Sequence, residues 1–524
     1  MNRNYYGYPL WFWSAIAIGI LLRISSIWWN DRLLGDINLF ALTAREYSES
    51  GKLNYPMKYD YSAKTVWGDL RTPQSQHPPL WSYIAGCLAK LFGTKDTYGI
   101  LQMMSMFSQC LVLWISFKLS KVFGSACTLY ALPVIAFSPM LIDFAGNGSQ
   151  YSLGSFFLIA GCWVLIHRRQ PEAKDFLCSG FFCALAFLTH GAFILAILAT
   201  FACALISGKT PKNKVIYILL SGAGFIASLV PLIWFRLEHF NSPFHNLNSF
   251  FIAGVLGKLS MDSGSSGIFW QVEETWHLGD LITYTLNCLK VWKKFVIYLL
   301  WEWGPSGLFL GSLPILGLFW KNDRKLLLLL FFLASYLVTI LLWPGFKSRF
   351  LAPVLPLAIV LSILGYSKLI VREVFLKKLG VGCLAVIFIW FMFSWSISVQ
   401  INGSPSRYYS FDLKHKNDYA EMKALALDMH GLPKGLVIGA ARSLDGGVEG
   451  IYWHEFPYIH SRAWVSGEAM DWNLIERIKT DYNARYFWTD DIMLPKYSEY
   501  LSKLEPVLES GKFKLFRFIE SPDI

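Results

Sequence analysis

The sequence predicts an all-α polytopic membrane protein of about eleven transmembrane helices, followed by a small extracytoplasmic α/β domain. Of the 524 residues, 54% are hydrophobic and only 16% are charged, which is far too apolar for an ordinary soluble protein. Apolar runs long enough to cross a bilayer, which takes about 17–25 residues, recur up to residue 398. After Val399 charged residues become frequent and Gly and Pro punctuate short runs, which indicates a second domain.

The apolar runs give the predicted spans in chain order. They cover residues 10–29, 98–117, 124–142, 150–166, 176–189, 190–207, 215–235, 297–320, 325–343, 349–366 and 379–398. The fifth and sixth runs share one stretch, 176–206, which is too long for one helix and short for two. We predict a break at 188–191, because two spans here place every Lys and Arg cluster of the short loops in the cytoplasm.

The same charge pattern orients the chain as a multi-pass protein of the cell inner (plasma) membrane. The N-terminus is then cytoplasmic, and the loops 30–97 and 236–296 lie outside together with the C-terminal domain. The first run has full span length and lacks a small-residue cleavage site. We therefore expect it to begin the helix bundle rather than to be a cleaved signal peptide.

Charge and cysteine content argue against two other classes of protein. The net charge of +11 is spread over short loops between apolar runs, which is an orientation signal rather than a nucleic-acid-binding groove. The nine Cys lie almost all within apolar runs. This pattern is typical of small buried side chains, and it indicates neither a disulfide framework nor a thiolate metal site.

The predicted domain boundary separates residues 1–400 from residues 401–524. In the second part, 435–440 and 484–489 have the composition of buried strands, and 512–519 alternates at strand period. Residues 472–482 form an amphipathic helical pattern between them. A Gly-x-Gly-x-x-Gly turn is absent, so we interpret this domain as a packing or glycan-facing unit.

Two motifs in the first outer loop contain groups suited to catalysis. Asp36 follows the first span, and a carboxylate at the membrane edge is costly and commonly functional. As an alternative, Asp36 is the N-cap of the helix that follows. His77 precedes Pro78-Pro79-Leu80, where the two prolines predict a rigid entry to the next helix. His77 either contacts a ligand there or merely caps a turn.

Two later motifs carry basic groups. Lys347 and Arg349 lie at the outer end of a late span, against the positive-inside trend, where paired cations suit a phosphate. For either residue alone, anchoring at the interface by snorkelling is the default interpretation. His190, in the predicted break, also falls on the outer side, although a simple helix break explains it equally well.

In order and spacing over residues 1–400, these motifs resemble the GT-C glycosyltransferases. This group takes sugars from polyprenyl-phosphate carriers and includes relatives of the protein O-mannosyltransferases and of the lipid A aminoarabinose transferases. The chain departs from the family pattern at two places. Ile37 stands where the family usually has a second carboxylate, and His190 replaces a Lys.

The resemblance implies roles for most of the candidate residues. Asp36 would be the catalytic base, and Lys347, Arg349, His77 and His190 would bind the phosphate of the donor. Families of this kind often have a second acidic residue near the position of Asp143, which gives it an acceptor or secondary role. Apart from the resemblance, Glu273, Glu274 and His277 are secondary candidates, because the Trp-rich loop 236–296 either lies flat in the membrane interface or covers the catalytic cavity. The His and Glu spacings form no zinc signature. No cofactor is certain, although a divalent metal is compatible with the site.

The function that follows is transfer of a sugar, with inversion, from a polyprenyl-phosphate donor to an extracytoplasmic glycan, lipid or protein. The partners are the lipid-linked donor, this acceptor and membrane lipids, with no nucleic acid. Two alternatives are a polymerase or ligase that transfers whole lipid-linked glycans, and a flippase or transporter. Transporters need polar or broken helices near the midplane of several spans, whereas most spans here have apolar sequences.

Overall fold

In this computed structural model, residues 7–30, 36–55, 57–59, 72–73, 78–241, 324–341, 348–370, 413–440, 448–456, 458–460 and 471–519 are described, with scattered positions between 286 and 297 and between 382 and 393. Most of the described chain is helical. The first ten helices are α1 (Leu10–Trp29), α2 (Asp36–Ser50), α3 (Leu80–Phe92), α4 (Thr97–Lys121), α5 (Ser125–Phe137), α6 (Pro139–Gly146), α7 (Tyr151–Ile166), α8 (Ala173–Thr189), α9 (Ala196–Ser207) and α10 (Pro211–Phe240). Five more follow: α11 (Arg324–Leu341), α12 (Leu355–Ile370), α13 (Leu413–Asp428), α14 (Val448–His454) and α15 (Trp472–Tyr482).

Three helices of the described part are long and apolar enough to cross a membrane: α1, α4 and α10. The pair α5–α6 meets the same test together but bends by 52° at its junction. Several apolar helices, α3, α7 and α9 among them, are shorter than a full span. The structure thus has the apolar helices of a membrane protein, while the predicted run 297–320 lies outside the described residues apart from position 297.

The predicted break at 188–191 is confirmed. Helix α8 ends at Thr189, a short 3₁₀ turn covers Gly191–Phe193, and α9 starts at Ala196. His190 itself is extended, with φ −157° and ψ 133°. The run 176–206 therefore forms two helices.

The run 124–142, in contrast, is not one continuous helix. Pro139 has no N–H and restricts the residue before it, so Ser138 leaves the helical region with ψ 118°. The carbonyl of Ile135 thereby loses its intrahelical donor. Arg23 of α1, fully buried, replaces it: Nη2 donates to Ile135 O at 2.9 Å and Nη1 to Ala136 O at 2.7 Å.

Eight strands complete the fold of the described residues. They are β1 (Asn54–Tyr55), β2 (Met57–Tyr59), β3 (Thr72–Pro73), β4 (Leu436–Ala440), β5 (Tyr458–His460), β6 (Ala484–Asp490), β7 (Leu504–Ser510) and β8 (Phe513–Phe518). Strands β1 and β3 pair with each other, and the other six form one sheet in the order β2-β5-β4-β6-β8-β7. The first four of these strands run parallel to one another. Strand β8 is antiparallel to both of its neighbours, β6 and β7.

The sheet confirms the C-terminal α/β unit and shows where the first outer loop attaches. Strands β4, β6 and β8 and helix α15 occur where the sequence predicts them. The edge strand β2, however, comes from the first outer loop and pairs with β5, Met57 opposite Tyr458. The loop that follows Asp36 is therefore fastened to the C-terminal sheet.

Candidate functional site

The turn that joins α6 to α7, residues 147–150, lies where the predicted motifs meet; we call it the central turn. All four of its residues are buried. Asn147 Oδ1 accepts a hydrogen bond from Ser149 N at 2.9 Å, which closes the turn locally. Gly148 has φ +77°, and a Cβ there would lie 3.3 Å from the side chain of Leu101 and 3.4 Å from that of Ile37. Only glycine suits this conformation and this close approach.

A polar stripe on α4 supports the central turn. Tyr98, Gln102, Ser105 and Gln109 recur at intervals of four, three and four residues, which places them on one face of the helix. Gln102 Nε2 donates to Gly146 O at 2.8 Å, and Ser105 Oγ donates to Phe144 O at 2.5 Å. Because a broken helix inside a bilayer has no water to satisfy its carbonyls, these side chains take that role.

The first outer loop reaches the central turn through the helices that follow its two motifs. Helix α2 begins at Asp36, and Ile37, the next residue, is buried against Gly148. Trp81, near the start of α3, donates from Nε1 to Gly148 O at 3.0 Å. The backbone at Asp36 is thus adjacent to the turn, and so is the helix that follows His77. The side chain of Asp36 and all of His77 lie outside the described residues.

The opposite end of the central turn contacts His190. Tyr151, the first residue of α7, has its hydroxyl 3.3 Å from His190 Nε2. His190 Nδ1 accepts from Ala192 N at 3.2 Å, so in the neutral ring Nε2 carries the proton and donates to the Tyr151 oxygen. His190 is thus connected to the first residue of α7, directly after the central turn.

The basic motif of the late span lies beside the same two rings. Phe350 has its ring 5.9 Å from that of Tyr151 and 6.2 Å from that of His190, centroid to centroid. Phe350 belongs to the 3₁₀ turn Ser348–Leu351, which also contains Arg349. Ser155 Oγ on α7 donates to Pro353 O at 2.7 Å and fixes this segment. The Arg349 side chain and Lys347 lie outside the described residues.

The remaining candidates are placed only in part. Asp143 lies in α6, four residues before the central turn, and is 2% exposed. Its carbonyl accepts from Asn30 Nδ2 at 3.4 Å. Glu273, Glu274 and His277 fall in the undescribed part of the long outer loop. Within the described ranges no three His, Cys, Asp or Glu residues come together as metal ligands.

Helix α2 is also held from the C-terminal side. The Arg45 guanidinium lies 4.0 Å from the centroid of the Tyr452 ring, and its Nη1 donates to Tyr452 O at 2.8 Å. The Tyr452 hydroxyl donates to Asp96 Oδ1 at 3.1 Å and accepts from Tyr98 N at 3.0 Å. Burial raises the pKa of Tyr452, an effect that the Arg45 charge partly offsets. Helix α2, which begins with Asp36, is therefore held by contacts to both α4 and α14.

The predicted spans leave residues 143–149 as a connection, but the sequence did not predict that the central turn is buried against other segments, nor the polar stripe of α4. The turn reads Asn-Gly-Ser-Gln between two apolar runs, and a run of small polar residues inside a spanning region is a signal for a buried break. The stripe is visible as polar residues at helical spacing in an otherwise apolar helix. Neither signal is as specific as a catalytic motif.

The comparisons with known proteins agree with this geometry. Residues 76–234 match the family described as dolichyl-phosphate-mannose-protein mannosyltransferase. This segment runs from just before the Pro78-Pro79 pair to α10 and contains the central turn and His190. No curated protein matches the chain.

Solved structures share the fold at low sequence identity. ArnT from Cupriavidus metallidurans bound to undecaprenyl phosphate is 12% identical with a TM-score of 0.58, and the match covers 98% of both chains. The archaeal oligosaccharyltransferase AglB from Archaeoglobus fulgidus, in complex with an inhibitory peptide and a dolichol-phosphate, is 12% identical with a TM-score of 0.59. That match covers 94% of this chain and 71% of AglB.

A third match is the mycobacterial arabinofuranosyltransferase AftD. It is 13% identical with a TM-score of 0.53, and the match covers 97% of this chain but 41% of AftD. Together these similarities confirm the resemblance that the motifs indicated: the chain has the fold of the GT-C membrane glycosyltransferases.

Proposed function

We propose that this protein transfers a single sugar from a polyprenyl-phosphate carrier to an acceptor on the outer face of the membrane. One observation carries the proposal: motifs far apart in the chain meet around one buried turn. Ile37, next to Asp36, and Trp81 contact Gly148, while His190 and Phe350 contact Tyr151 three residues later. ArnT, which shares the fold over 98% of both chains, has undecaprenyl phosphate bound in its solved structure, and this supports a carrier of that kind for this protein.

The proposed chemistry is one displacement at the anomeric carbon. The Asp36 carboxylate accepts the proton of the acceptor hydroxyl while that oxygen forms a bond to the anomeric carbon. The bond from this carbon to the phosphate oxygen breaks, and the carrier leaves as its phosphate. Lys347, Arg349, His77 and His190 bind that phosphate, and the anomeric configuration inverts.

The proposed arrangement in the membrane follows the charge pattern. Residues 1–400 form the catalytic domain in the inner membrane with the N-terminus in the cytoplasm. Residues 401–524 form an extracytoplasmic domain. This domain holds the first outer loop through strand β2 and through the hydrogen bond of Arg45 to Tyr452 O. Acidic residues of the long outer loop and Asp143 would serve the acceptor side.

The test is transfer by the purified protein in liposomes. Undecaprenyl phosphates that carry a hexose or a pentose are supplied together with an envelope fraction of lipids, glycans and proteins as the acceptor, and the lipid products are identified by mass spectrometry. Release of undecaprenyl phosphate, together with the loss of a sugar from envelope glycans in a deletion strain, is the expected result. Turnover of lipid diphosphate-linked oligosaccharides instead would identify a glycan ligase, an activity closer to that of the oligosaccharyltransferase neighbour.

A further inference from the structure

The central turn holds two buried amide groups whose nitrogen atoms have no hydrogen-bond partner among the described residues. They are Asn147 Nδ2 and Gln150 Nε2. The two residues are 2% and 1% exposed. A buried donor without an acceptor is unfavourable, and in a native protein it calls for an explanation such as a bound ligand.

The oxygen atom of each amide is engaged within the turn. The Asn147 amide cannot be exchanged end for end, because its Oδ1 accepts from the backbone N–H of Ser149. Gln150 Oε1 accepts from the Ser149 hydroxyl at 3.4 Å. The Ser149 oxygen accepts in turn from Tyr151 N at 3.4 Å. Both carbonyl oxygens are therefore used inside the turn, and both NH₂ groups remain as donors.

The position of the turn indicates which part of a substrate these donors would meet. At one end Gly148 adjoins Ile37, next to the proposed base, and at the other Tyr151 adjoins His190 and the segment of Arg349. In a displacement the sugar lies between the base and the departing phosphate. Gln150 lies between these two ends and Asn147 directly precedes Gly148, so both amides would lie near a sugar held between such a base and phosphate.

We propose that the central turn is the subsite for the transferred sugar, with the amides of Asn147 and Gln150 donating to its hydroxyl or ring oxygens. The inference rests on the proposed function and deepens it. Neutral amides suit a neutral, hydroxylated sugar, whereas the charged phosphate is assigned to the basic residues Lys347 and Arg349 in the proposed function. The same nitrogen atoms are also able to bind phosphate oxygens, so the experiment distinguishes binding of the sugar from binding of the carrier phosphate.

The experiment measures binding rather than turnover. The dissociation constants of undecaprenyl phosphate alone, and of undecaprenyl phosphate carrying a hexose or a pentose, are measured on purified protein by native mass spectrometry. Gln150→Met keeps the length of the side chain and removes the donor. The matched control is Gln109→Met, since the Gln109 amide already donates to Ser152 Oγ at 3.1 Å. If Gln150→Met does not fold, Asn147→Asp removes one donor and keeps the oxygen that accepts from Ser149.

We expect wild type to prefer one sugar-loaded carrier over the bare one. Gln150→Met should weaken the binding of that loaded carrier about 5- to 10-fold and leave the bare carrier unchanged. Gln109→Met should preserve the preference for the loaded carrier. An equal loss for both ligands, or no loss for either, would overturn the sugar subsite. Equal wild-type affinity for bare and loaded carriers would also overturn it, with the lipid-phosphate function intact. If wild type binds neither ligand, the proposed function itself fails.

Discussion

Single residues at helix interruptions do much of the positioning in this protein. Pro139 removes the donor that Ile135 O needs, and Arg23 supplies a guanidinium in its place. Gly148 allows the central turn to approach Ile37 and Leu101. These residues keep the α5–α6 bend and the central turn in one arrangement.

Arg23 gives a prediction about stability. Arg23→Met fills similar volume but leaves the carbonyls of Ile135 and Ala136 without a donor. Unsatisfied buried groups of this kind cost about 1–3 kcal/mol, so we expect a lower thermal midpoint in detergent. Ser14→Ala, an exposed position of the same helix, is the control and should change little. Equal stability of Arg23→Met and wild type would show that the guanidinium does not support the bend.

Arg349 gives a prediction about donor binding. Lys keeps the charge of Arg but loses the forked pair of donors that matches a phosphate. Arg349→Lys should therefore raise the apparent donor KM more than it lowers expression. Steady-state kinetics over a range of donor concentrations measures this. Unchanged donor dependence would leave Arg349 as a membrane anchor.

At the scale of elements, the C-terminal sheet determines how the first outer loop is held. The sheet accepts β2 as an edge strand beside β5. Helix α14, which leads towards that strand, carries both Tyr452 and the fully buried His454. His454 Nδ1 accepts from Phe456 N at 2.8 Å, and the ring lies among Phe456, Tyr458 and Trp488. The folded C-terminal α/β unit is therefore most stable when the His454 imidazole is neutral.

His454 predicts the response of the C-terminal unit to acid. Burial is the main cause that lowers the pKa of His454 to about 3, with the positive charges of Lys434, His430 and Arg45 acting in the same direction. The unfolded chain, with an ordinary value of 6.5, takes up the proton first. Stability should therefore fall as the pH drops from about 6.5 towards 3, by up to roughly 1.4 kcal/mol per pH unit.

The variant that checks this effect is His454→Asn. Its oxygen is able to replace Nδ1 as the acceptor for Phe456 N, but it does not titrate. Thermal midpoints of the two proteins between pH 7.5 and 5 should diverge, with wild type losing stability faster. Parallel curves would show that the imidazole is protonated in the folded protein as easily as in the unfolded chain.

Several elements could be predicted from local patterns, and others could not. Helix α15 follows from its amphipathic period, and the break at His190 follows from the length and charge balance of 176–206. The bend at Ser138 is not predicted because the run 124–142 is mostly apolar, and a hydropathy pattern does not register the donor that Pro139 removes. The pairing of β2 with β5 joins residues about 400 positions apart, a contact that no local period encodes.

At the scale of the whole molecule, a chain of apolar helices encloses a small polar interior. The α4 stripe, Arg23 and the central turn satisfy broken backbone inside the bundle, whereas the sequence suggested that its spans are mostly free of polar groups. The motifs of the candidate site were predicted as separate segments. Their convergence depends on packing between α2, α3, α7 and the 3₁₀ turn Ser348–Leu351, which sequence spacing alone does not give.

Membrane orientation is the prediction at this scale. Single Cys substitutions at Lys212, before the apolar part of α10, and at Lys377 should react only with reagents that reach the cytoplasm. Substitutions at exposed positions of the C-terminal sheet should react from outside. The physical reason is the excess of Lys and Arg in alternate short loops. A cytoplasmic C-terminal domain would place the proposed site on the wrong face of the membrane.

The central claim is that Asp36 activates the acceptor in a sugar transfer, and turnover of Asp36→Asn tests it most directly. Asn keeps the size of Asp and an oxygen able to cap a helix, but it loses the basicity. Sugar transfer in liposomes, normalised to folded protein by size-exclusion profile, should fall by about 10²- to 10⁴-fold with folding intact. If Asp36 only starts α2, Asn retains activity and Asp36→Ala costs about 0.5–2 kcal/mol of stability. Near wild-type turnover of Asp36→Asn would therefore contradict the mechanism.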